Sequence, residues 1–322
     1  MTRDEALKAY SIPIPKDYEK YDKEEYREFD NMFLESFYST FYNPDNQKTE
    51  LNKENKELIA IVLGGQAGAG KSSLVADAKI KFKDTGRRII VIDDDEYRKY
   101  HPYAQEIINN CPEFYTEITA KATNIITPKI LKFAAENRYN FLFDGTMKNT
   151  RIINTMKEWK DYNIFVHVMA TCGERSLIST AIRNGELRET RNEGRIVDQN
   201  SHWEMYNGLP KTLDYIENHE PNLVKEIKIY TRSNNPLFPK EEYSSLEEKS
   251  ISSSQKLEEL RNKDRQIFFN NAIEDDIQCL KGLIVNLSET EKAEAQSIID
   301  YIQKSKKLND LKKSENNEQA LR

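Results

Sequence analysis

Apolar residues along this chain fall into short continuous runs separated by longer stretches of helical periodicity. The runs lie at 58–64 (Leu-Ile-Ala-Ile-Val-Leu-Gly), 88–93 (Arg-Ile-Ile-Val-Ile-Asp), 139–144 (Tyr-Asn-Phe-Leu-Phe-Asp), 163–170 and 226–231. Strands that are apolar without alternation are buried on both faces, as in a parallel sheet. Helical patterns fill the intervals at 71–83, 113–136, 149–160, 174–189 and 199–219. The alternation predicts an α/β fold, a parallel five-stranded sheet flanked by helices. Ligands of such sheets bind beyond the carboxyl ends of the strands, so chemistry is to be sought there.

Both flanks look different. Residues 17–42 alternate charged residues with aromatic ones, and Phe29, Met32, Phe33, Phe37 and Phe41 form a stripe on one helix, read as packing onto the core. Residues 43–55 are polar and predict a loop. Beyond Pro239 the chain is rich in Lys, Glu, Ser and Asn, with a serine-rich break at 250–254. Apolar positions from Ile267 to Ile284 predict an amphipathic helix over 255–286, a second follows at 289–308, and the last dozen residues read as disordered. The expected division is an N-terminal helical segment (1–50), a catalytic α/β domain (51–239) and a helical extension (240–322) dispensable for catalysis.

Composition narrows the setting. A hydrophobic fraction of 38%, a charged fraction of 32% and a net charge of −6 argue against non-specific nucleic-acid binding, which needs a basic surface. Cys111, Cys172 and Cys279 are odd in number and lack metal-ligand spacing, and the first residues hold no apolar signal core. No run approaches the length of a membrane span. The expectation is a cytoplasmic protein without membrane contact.

The chemistry begins where the first apolar run ends. Gly65-Gln-Ala-Gly-Ala-Gly-Lys-Ser-Ser73 contains Gly-x-x-x-x-Gly-Lys-Ser between a predicted strand and a predicted helix. Gly65, Gly68 and Gly70 let the backbone turn tightly and approach a polyphosphate. The loop residues Gly65, Gln66, Ala67, Gly68, Ala69, Gly70, Lys71, Ser72 and Ser73 would cradle phosphates at the positive end of the helix. Lys71 would reach the β- and γ-phosphates, and Ser72 would ligate Mg²⁺. A nucleoside triphosphate, ATP or GTP, is therefore the implied cofactor.

Two further strand ends carry acids. Asp93-Asp94-Asp95 follows the second run, and one of the three would accept a proton or help hold Mg²⁺; its bland alternative is a helix cap. Asp144-Gly145-Thr146 follows the third, with Asp144 as the other Mg²⁺-side acid and Thr146 a substrate contact. Arg175, Arg183, Arg188, Arg191 and Arg195 lie between the fourth and fifth strands, where a closing segment would neutralise phosphoryl charge. His101, His167, His202 and His219 show no metal spacing, and His167 reads as structural.

These residues resemble the zeta toxin family, phosphate-loop kinases that phosphorylate UDP-N-acetylglucosamine. The resemblance rests on the loop Gly65–Ser73, on Val91-Ile-Asp-Asp-Asp-Glu-Tyr97 with His101-Pro102, on Asp144-Gly145-Thr146 and on Val168-Met169-Ala170, over roughly residues 55–232. It implies that Asp95 is the base for a sugar hydroxyl, that Lys71, Arg183 and Arg195 clamp the phosphates, that Thr146 and Lys148 face the substrate, and that an antitoxin protein is a partner. There are departures. The family's Glu-Gly-Thr-x-Arg is Asp144-Gly-Thr-Met-Lys148 here, and lysine cannot make the bidentate contacts of arginine. The family's acid on the helix before that strand has no clear counterpart, gap-free counting falling near Pro128.

The leading reading is thus a zeta-type nucleotide-sugar kinase. The alternatives are a kinase for another small acceptor (a nucleoside, dinucleotide or antibiotic) and a nucleotide-dependent switch or motor. The switch is weakened by the absence of the Asn-Lys-x-Asp signature of guanine-specific GTPases.

Overall fold

The computed structural model describes residues 1–15, 24–42, 57–191, 197–233, 235 and 238–320. Six strands form one sheet: β1 (Leu58–Gly64), β2 (Ile90–Asp93), β3 (Phe141–Asp144), β4 (Tyr162–Met169), β5 (Glu226–Thr231) and β6 (Lys240–Ser244), in the order β2-β3-β1-β4-β5-β6. The first five are parallel, and β6 joins β5 antiparallel at the edge. The sheet is one strand larger than expected. Lys240-Glu241-Glu242 carries no apolar run, because an edge strand need not be apolar on both faces.

The helices are α1 (Arg3–Tyr10), α2 (Arg27–Phe41), α3 (Ser72–Asp84), α4 (Asp94–Tyr97), α5 (Ala104–Asn110), α6 (Tyr115–Glu136), α7 (Arg151–Lys157), α8 (Gly173–Arg191), α9 (Gln199–His219), α10 (Ser253–Ile267), α11 (Ile273–Leu283) and α12 (Glu289–Ala320). Strand β1 explains its own composition. Leu58, Ala60 and Val62 enter one core with residues of α2, α6, α9 and α10, while Ile61 and Leu63 enter another with Leu74, Ala78 and Phe82 of α3. Even Gly64 at its end faces Leu209 of α9, so no position of the strand is left polar.

The aromatic stripe of α2 lies on this core. Phe29 and Met32 are fully buried, and Phe37 and Phe41 pack their rings 4.8 and 4.9 Å from Phe133 of α6. The expected start of that helix and the loop at 43–55 fall largely outside the described residues.

The C-terminal stretch is tied to the rest. Leu257 and Leu260 of α10 share the core with the sheet, and the division expected after residue 239 passes between two hydrogen-bonded strands. The single helix expected over 255–286 is interrupted by a π-turn at Phe268–Ala272, a wider turn that lets adjacent Phe268 and Phe269 both face inward. Ile273, Ile277 and Leu280 then pack against Leu177 and Ile178 of α8 and Ile298, Ile299 and Ile302 of α12, while Ile267 is left exposed. The last helix runs to Ala320 through residues expected to be disordered; the segment has no Gly or Pro to break it. Among the described residues no helix is long and apolar enough to cross a membrane.

Because Leu257 is wholly buried in the sheet's own core, Leu257→Ala should cost about 2–5 kcal/mol. Urea unfolding followed by tryptophan fluorescence should show one transition moved to lower denaturant. A tryptophan transition that stays in place would indicate a C-terminal unit that unfolds separately.

Candidate functional site

The site starts with a backbone problem. Strand β1 delivers the chain to a turn in which Gly65, Gly68 and Gly70 take φ of 148°, 73° and 101°. At Gly68 the need is double, since any Cβ would also collide with the Ser176 carbonyl oxygen. The loop's carbonyls are drawn to the protein side. Thr171 Oγ1 donates to Ala69 O at 2.7 Å, Arg232 Nε to the same oxygen at 3.1 Å, and Arg232 Nη2 to Gly68 O. Ser73 Oγ folds back on Gly70 O at 2.9 Å, and Lys71 Nζ rests 3.2 Å from Gly65 O. Among the described residues no side chain caps the start of α3; Ser73 N turns to Gly70 O at 3.2 Å and Leu74 N to Lys71 O at 2.9 Å in the tight turn that opens the helix, whose positive end suits an anion. Ser72 is exposed at that end.

Gln66 behaves differently from the rest of the loop. Its side chain is fully buried and turned into the protein, where Nε2 donates to Thr171 O at 2.8 Å and Ser176 Oγ at 2.9 Å. Only its backbone can face a ligand.

The acids converge because β2 and β3 end in register, Asp93 opposite Asp144. Lys71 Nζ lies 3.8 Å from Asp144 Oδ1, an oxygen that is buried without a hydrogen-bond partner. Burial raises the Asp144 carboxyl above its ordinary value; Lys71 and Arg183 pull it down and Asp95 pushes it up. Asp93 is pushed up to about 7, first by burial and then by the charges of Asp144, Asp95 and Asp94. Its Oδ1 accepts from Asp95 N at 2.9 Å, so Asp93 is the helix cap of the cluster. Asp95 is left half exposed, with Arg98 Nε on its Oδ1 at 2.9 Å. Arg98 is itself buried, reaching Asp94 at 3.3 Å and Thr116 O and Thr119 Oγ1 at 3.1 Å each.

The arginines separate by what they touch. Arg183 stands exposed on α8 and its charge is felt at Asp144. Arg175 is held by Asp264 at 2.7 Å, and Arg188 by Glu291 at 3.0 Å and Ile108 O at 3.1 Å, so both serve packing. Arg195 and the side chain of Arg191 lie outside the described residues. Thr146 is half-buried and accepts Gly65 N on its carbonyl at 3.4 Å, joining the third strand end to the loop. Met147 beside it holds φ 52°, a conformation costly for a side chain of its size. Lys148 is exposed and makes its ion pair with Glu204, 3.8 Å away.

Two site arginines had no motif to announce them. Arg98 was readable in principle, three and four residues after Asp95 and Asp94 on one short helix turn. Arg232 gave no signal, being distant in sequence from the loop it grips.

Loop, sheet order and strand-end acids together define a phosphate-loop nucleotide-binding protein of kinase-like α/β fold. The zeta toxin family model matches residues 45–243, more than half of the chain, and the chain belongs to that family. Toxin zeta of Enterococcus hirae is 28% identical over 230 residues, 69% of this chain and 77% of that protein. Toxin PezT of Streptococcus pneumoniae serotype 4 is 29% identical over 198 residues, covering 60% and 76% of the two chains. Among solved structures, a chain of the PezAT chromosomal toxin-antitoxin system of Streptococcus pneumoniae superposes with a TM-score of 0.62 at 24% identity, over 83% of this chain and 99% of that one. The AvrRxo1-ORF1:-ORF2 complex with ATP shares the fold at a TM-score of 0.52 and 11% identity, over 91% and 93%.

The paired acids make a pH prediction. Folded Asp93 keeps its proton to about pH 7, whereas an ordinary aspartate loses it near 3.8, so ionising it costs stability as pH rises across that window. The buried histidines act oppositely at lower pH, His101 and His202 being depressed to about 4 and His167 to about 3. They are common to wild type and Asp93→Asn, and asparagine can still cap the helix. The melting temperature of metal-free Asp93→Asn relative to wild type should therefore rise from pH 5 to pH 8. A flat difference would show that Asp93 ionises normally.

Proposed function

We propose that this chain is an ATP-dependent kinase that phosphorylates a hydroxyl of a nucleotide sugar such as UDP-N-acetylglucosamine, and acts as a zeta-type toxin. The observation that carries this reading is the meeting of Lys71, Asp144 and Asp95 at adjoining strand ends, beside an uncapped helix start. Lys71 and the loop N–H groups hold the β- and γ-phosphates. The half-exposed Asp95 carboxylate, aimed by Arg98, takes the proton from the acceptor hydroxyl as its oxygen bonds to the γ-phosphorus. The bond from that phosphorus to the β,γ-bridging oxygen breaks, and the electron pair leaves with ADP. Arg183 meets the charge on the transferring group, so the protein supplies position and field rather than covalent chemistry.

The residues present fit a Mg²⁺ ion. Asp144 Oδ1 is buried without a hydrogen-bond donor, and the Ser72 hydroxyl is exposed at the start of α3. Among the described residues no cluster of three or more His, Cys, Asp or Glu has metal-holding geometry. Ser72 and Asp144 would therefore share the ion with phosphate oxygens and water, the usual habit of Mg²⁺. When bound, it neutralises charge on the β- and γ-phosphates.

Support for an antitoxin partner comes from the relatives, which are toxins, one of them part of a toxin-antitoxin system. A second reading keeps the kinase and changes the acceptor. It is favoured by Lys148, which stands where the family has arginine and is paired with Glu204. Incubating the pure protein with ATP, Mg²⁺ and a metabolite pool containing UDP-N-acetylglucosamine separates the two by which mass gains a phosphate.

Lys71→Ala should abolish transfer in a folded protein; undiminished turnover would remove the loop from the mechanism. Asp95→Asn should lose turnover by at least about a hundredfold while ATP still binds. Asp94→Asn, tested beside it, should be the milder change, and the reverse order would move the base by one residue. For Arg183→Ala we expect slower single-turnover transfer at unchanged melting temperature, and a wild-type rate would return it to the solvated surface of α8.

A further inference from the structure

We infer that Arg261, on α10, is a positioning residue for the phosphate loop and acts on it through the side chain of Gln66. The inference rests on the reading of that loop as the triphosphate site. Helix α10 lies beyond residues 45–243, the part of the chain that the family model matches.

Arg261 has no exposed surface. Burying a guanidinium is unfavourable unless its donors are satisfied, and a purely structural arginine is expected to face a buried carboxylate. This one does not. Its carboxylate partner, Glu258 at 2.8 Å from Nη1, is 46% exposed at the rim. The inward donors go to neutral oxygens, Nη1 to Tyr206 O at 3.0 Å and Nη2 to Gln66 Oε1 at 3.2 Å. The guanidinium carbon sits over the Tyr206 ring, 3.7 Å from its centroid, a cation–π contact that helps hold the fork in place.

An amide side chain can turn either end toward a neighbour. Arginine has donors only, so it compels Gln66 to present its oxygen to Arg261 and its NH₂ to the far side. That NH₂ donates to Thr171 O and Ser176 Oγ. Thr171 Oγ1 in turn grips Ala69 O, and the Ser176 carbonyl is the wall against which Gly68 turns. The relay from Arg261 thus reaches the loop at three places: Gln66, Gly68 and Ala69. Neighbouring residues of α10 hold the other end of the same wall. Asp264 accepts Cys172 N at 2.8 Å and Arg175 Nη1 at 2.7 Å, and Arg265 Nε donates to Glu174 at 3.0 Å. With Arg261 removed, the Gln66 amide is free to flip, and its donors no longer fix Thr171.

The test uses the full chain and Mg·ATP binding by titration calorimetry, well below each variant's melting temperature. Arg261→Met should weaken ATP binding by at least about tenfold, the scale on which a loosened supporting shell acts. A structural role alone would lower the melting temperature and leave the affinity of the folded protein unchanged. Gln66→Met should weaken binding similarly, and adding Arg261→Met to it should change affinity by less than about twofold, because both act on one path. If Arg261→Met does not fold, Arg261→Lys enters the same cycle, since lysine keeps the charge but cannot span Tyr206 O and Gln66 together. Unchanged affinity, or effects that simply add, overturns the inference. Absence of ATP binding in the wild-type chain overturns the assignment of the loop itself, and this inference with it.

Discussion

A phosphate-binding loop must turn its N–H groups outward, and the rest of this structure follows from what that does to the opposite side of the backbone. Carbonyls that face the protein need buried donors, because an unpaired buried peptide oxygen costs as much as a lost hydrogen bond. Here the donors to the loop carbonyls come from Thr171 after β4 and Arg232 after β5, while Gln66, whose Oε1 meets Arg261 of α10, gives its own donors to Thr171 O and Ser176 Oγ. Two arginines are thereby buried, or nearly so, without direct salt bridges at their inward tips. The burden is carried by short side-chain paths rooted in helices α8, α9 and α10. Leu257 and Leu260 of α10 belong to the sheet's own core, so these C-terminal contacts and the packing of the sheet are continuous.

The acid side of the site obeys the opposite rule. Asp93 and Asp144 end neighbouring strands with little solvent around them; burial pushes both carboxyls upward, and the charge of Asp144 adds to this at Asp93 as that of Asp95 does at Asp144. Lys71 offsets part of this at Asp144, whereas at Asp93 the offset comes from the backbone N–H of Asp95. Such a pair is at ease in one of two ways, with a proton retained or with added positive charge. A cation held with a polyphosphate is the second, which makes the acid pair and the loop parts of one electrostatic unit on the proposed reading.

Much of the sheet was legible because its strands are buried on both faces. The limits of β1 follow directly from its apolar run and those of β5 from its alternating Glu-Ile-Lys-Ile-Tyr-Thr, whereas β2 and β3 begin two residues late because Arg88-Ile89 and Tyr139-Asn140 make connections first. Strand β6 was invisible since a polar edge strand resembles a loop. The π-turn at Phe268–Ala272 was invisible since helical periodicity does not register one inserted residue. At the site, Lys71, Asp95 and Asp144 were legible because motif and strand end coincide in sequence. Arg232 and Arg261 were not, because a supporting arginine is recognised only by the distant group it touches, whereas Arg98 was readable through its spacing from Asp94 and Asp95. The arginine run of α8 illustrates the converse: Arg175 and Arg188 looked like Arg183, yet each meets a carboxylate of the C-terminal helices.

The two sides of the site differ in how firmly they are held, and this bears on what evolution can change there. The phosphate side is buried, glycine-constrained and tied at several carbonyls, so few substitutions leave it intact. On the proposed reading the side facing an acceptor would be formed by Asp95, Thr146, Lys148 and Arg183, which are half-buried or exposed. Of these, Lys148 makes its ion pair with Glu204 on α9. A surface pair of this kind contributes little to stability. On that reading, exchanging one such side chain would alter which hydroxyl is presented to Asp95 without disturbing the loop beneath, so that donor chemistry and acceptor choice would be separable within one small site, the first resting on buried backbone and the second on a few solvated side chains.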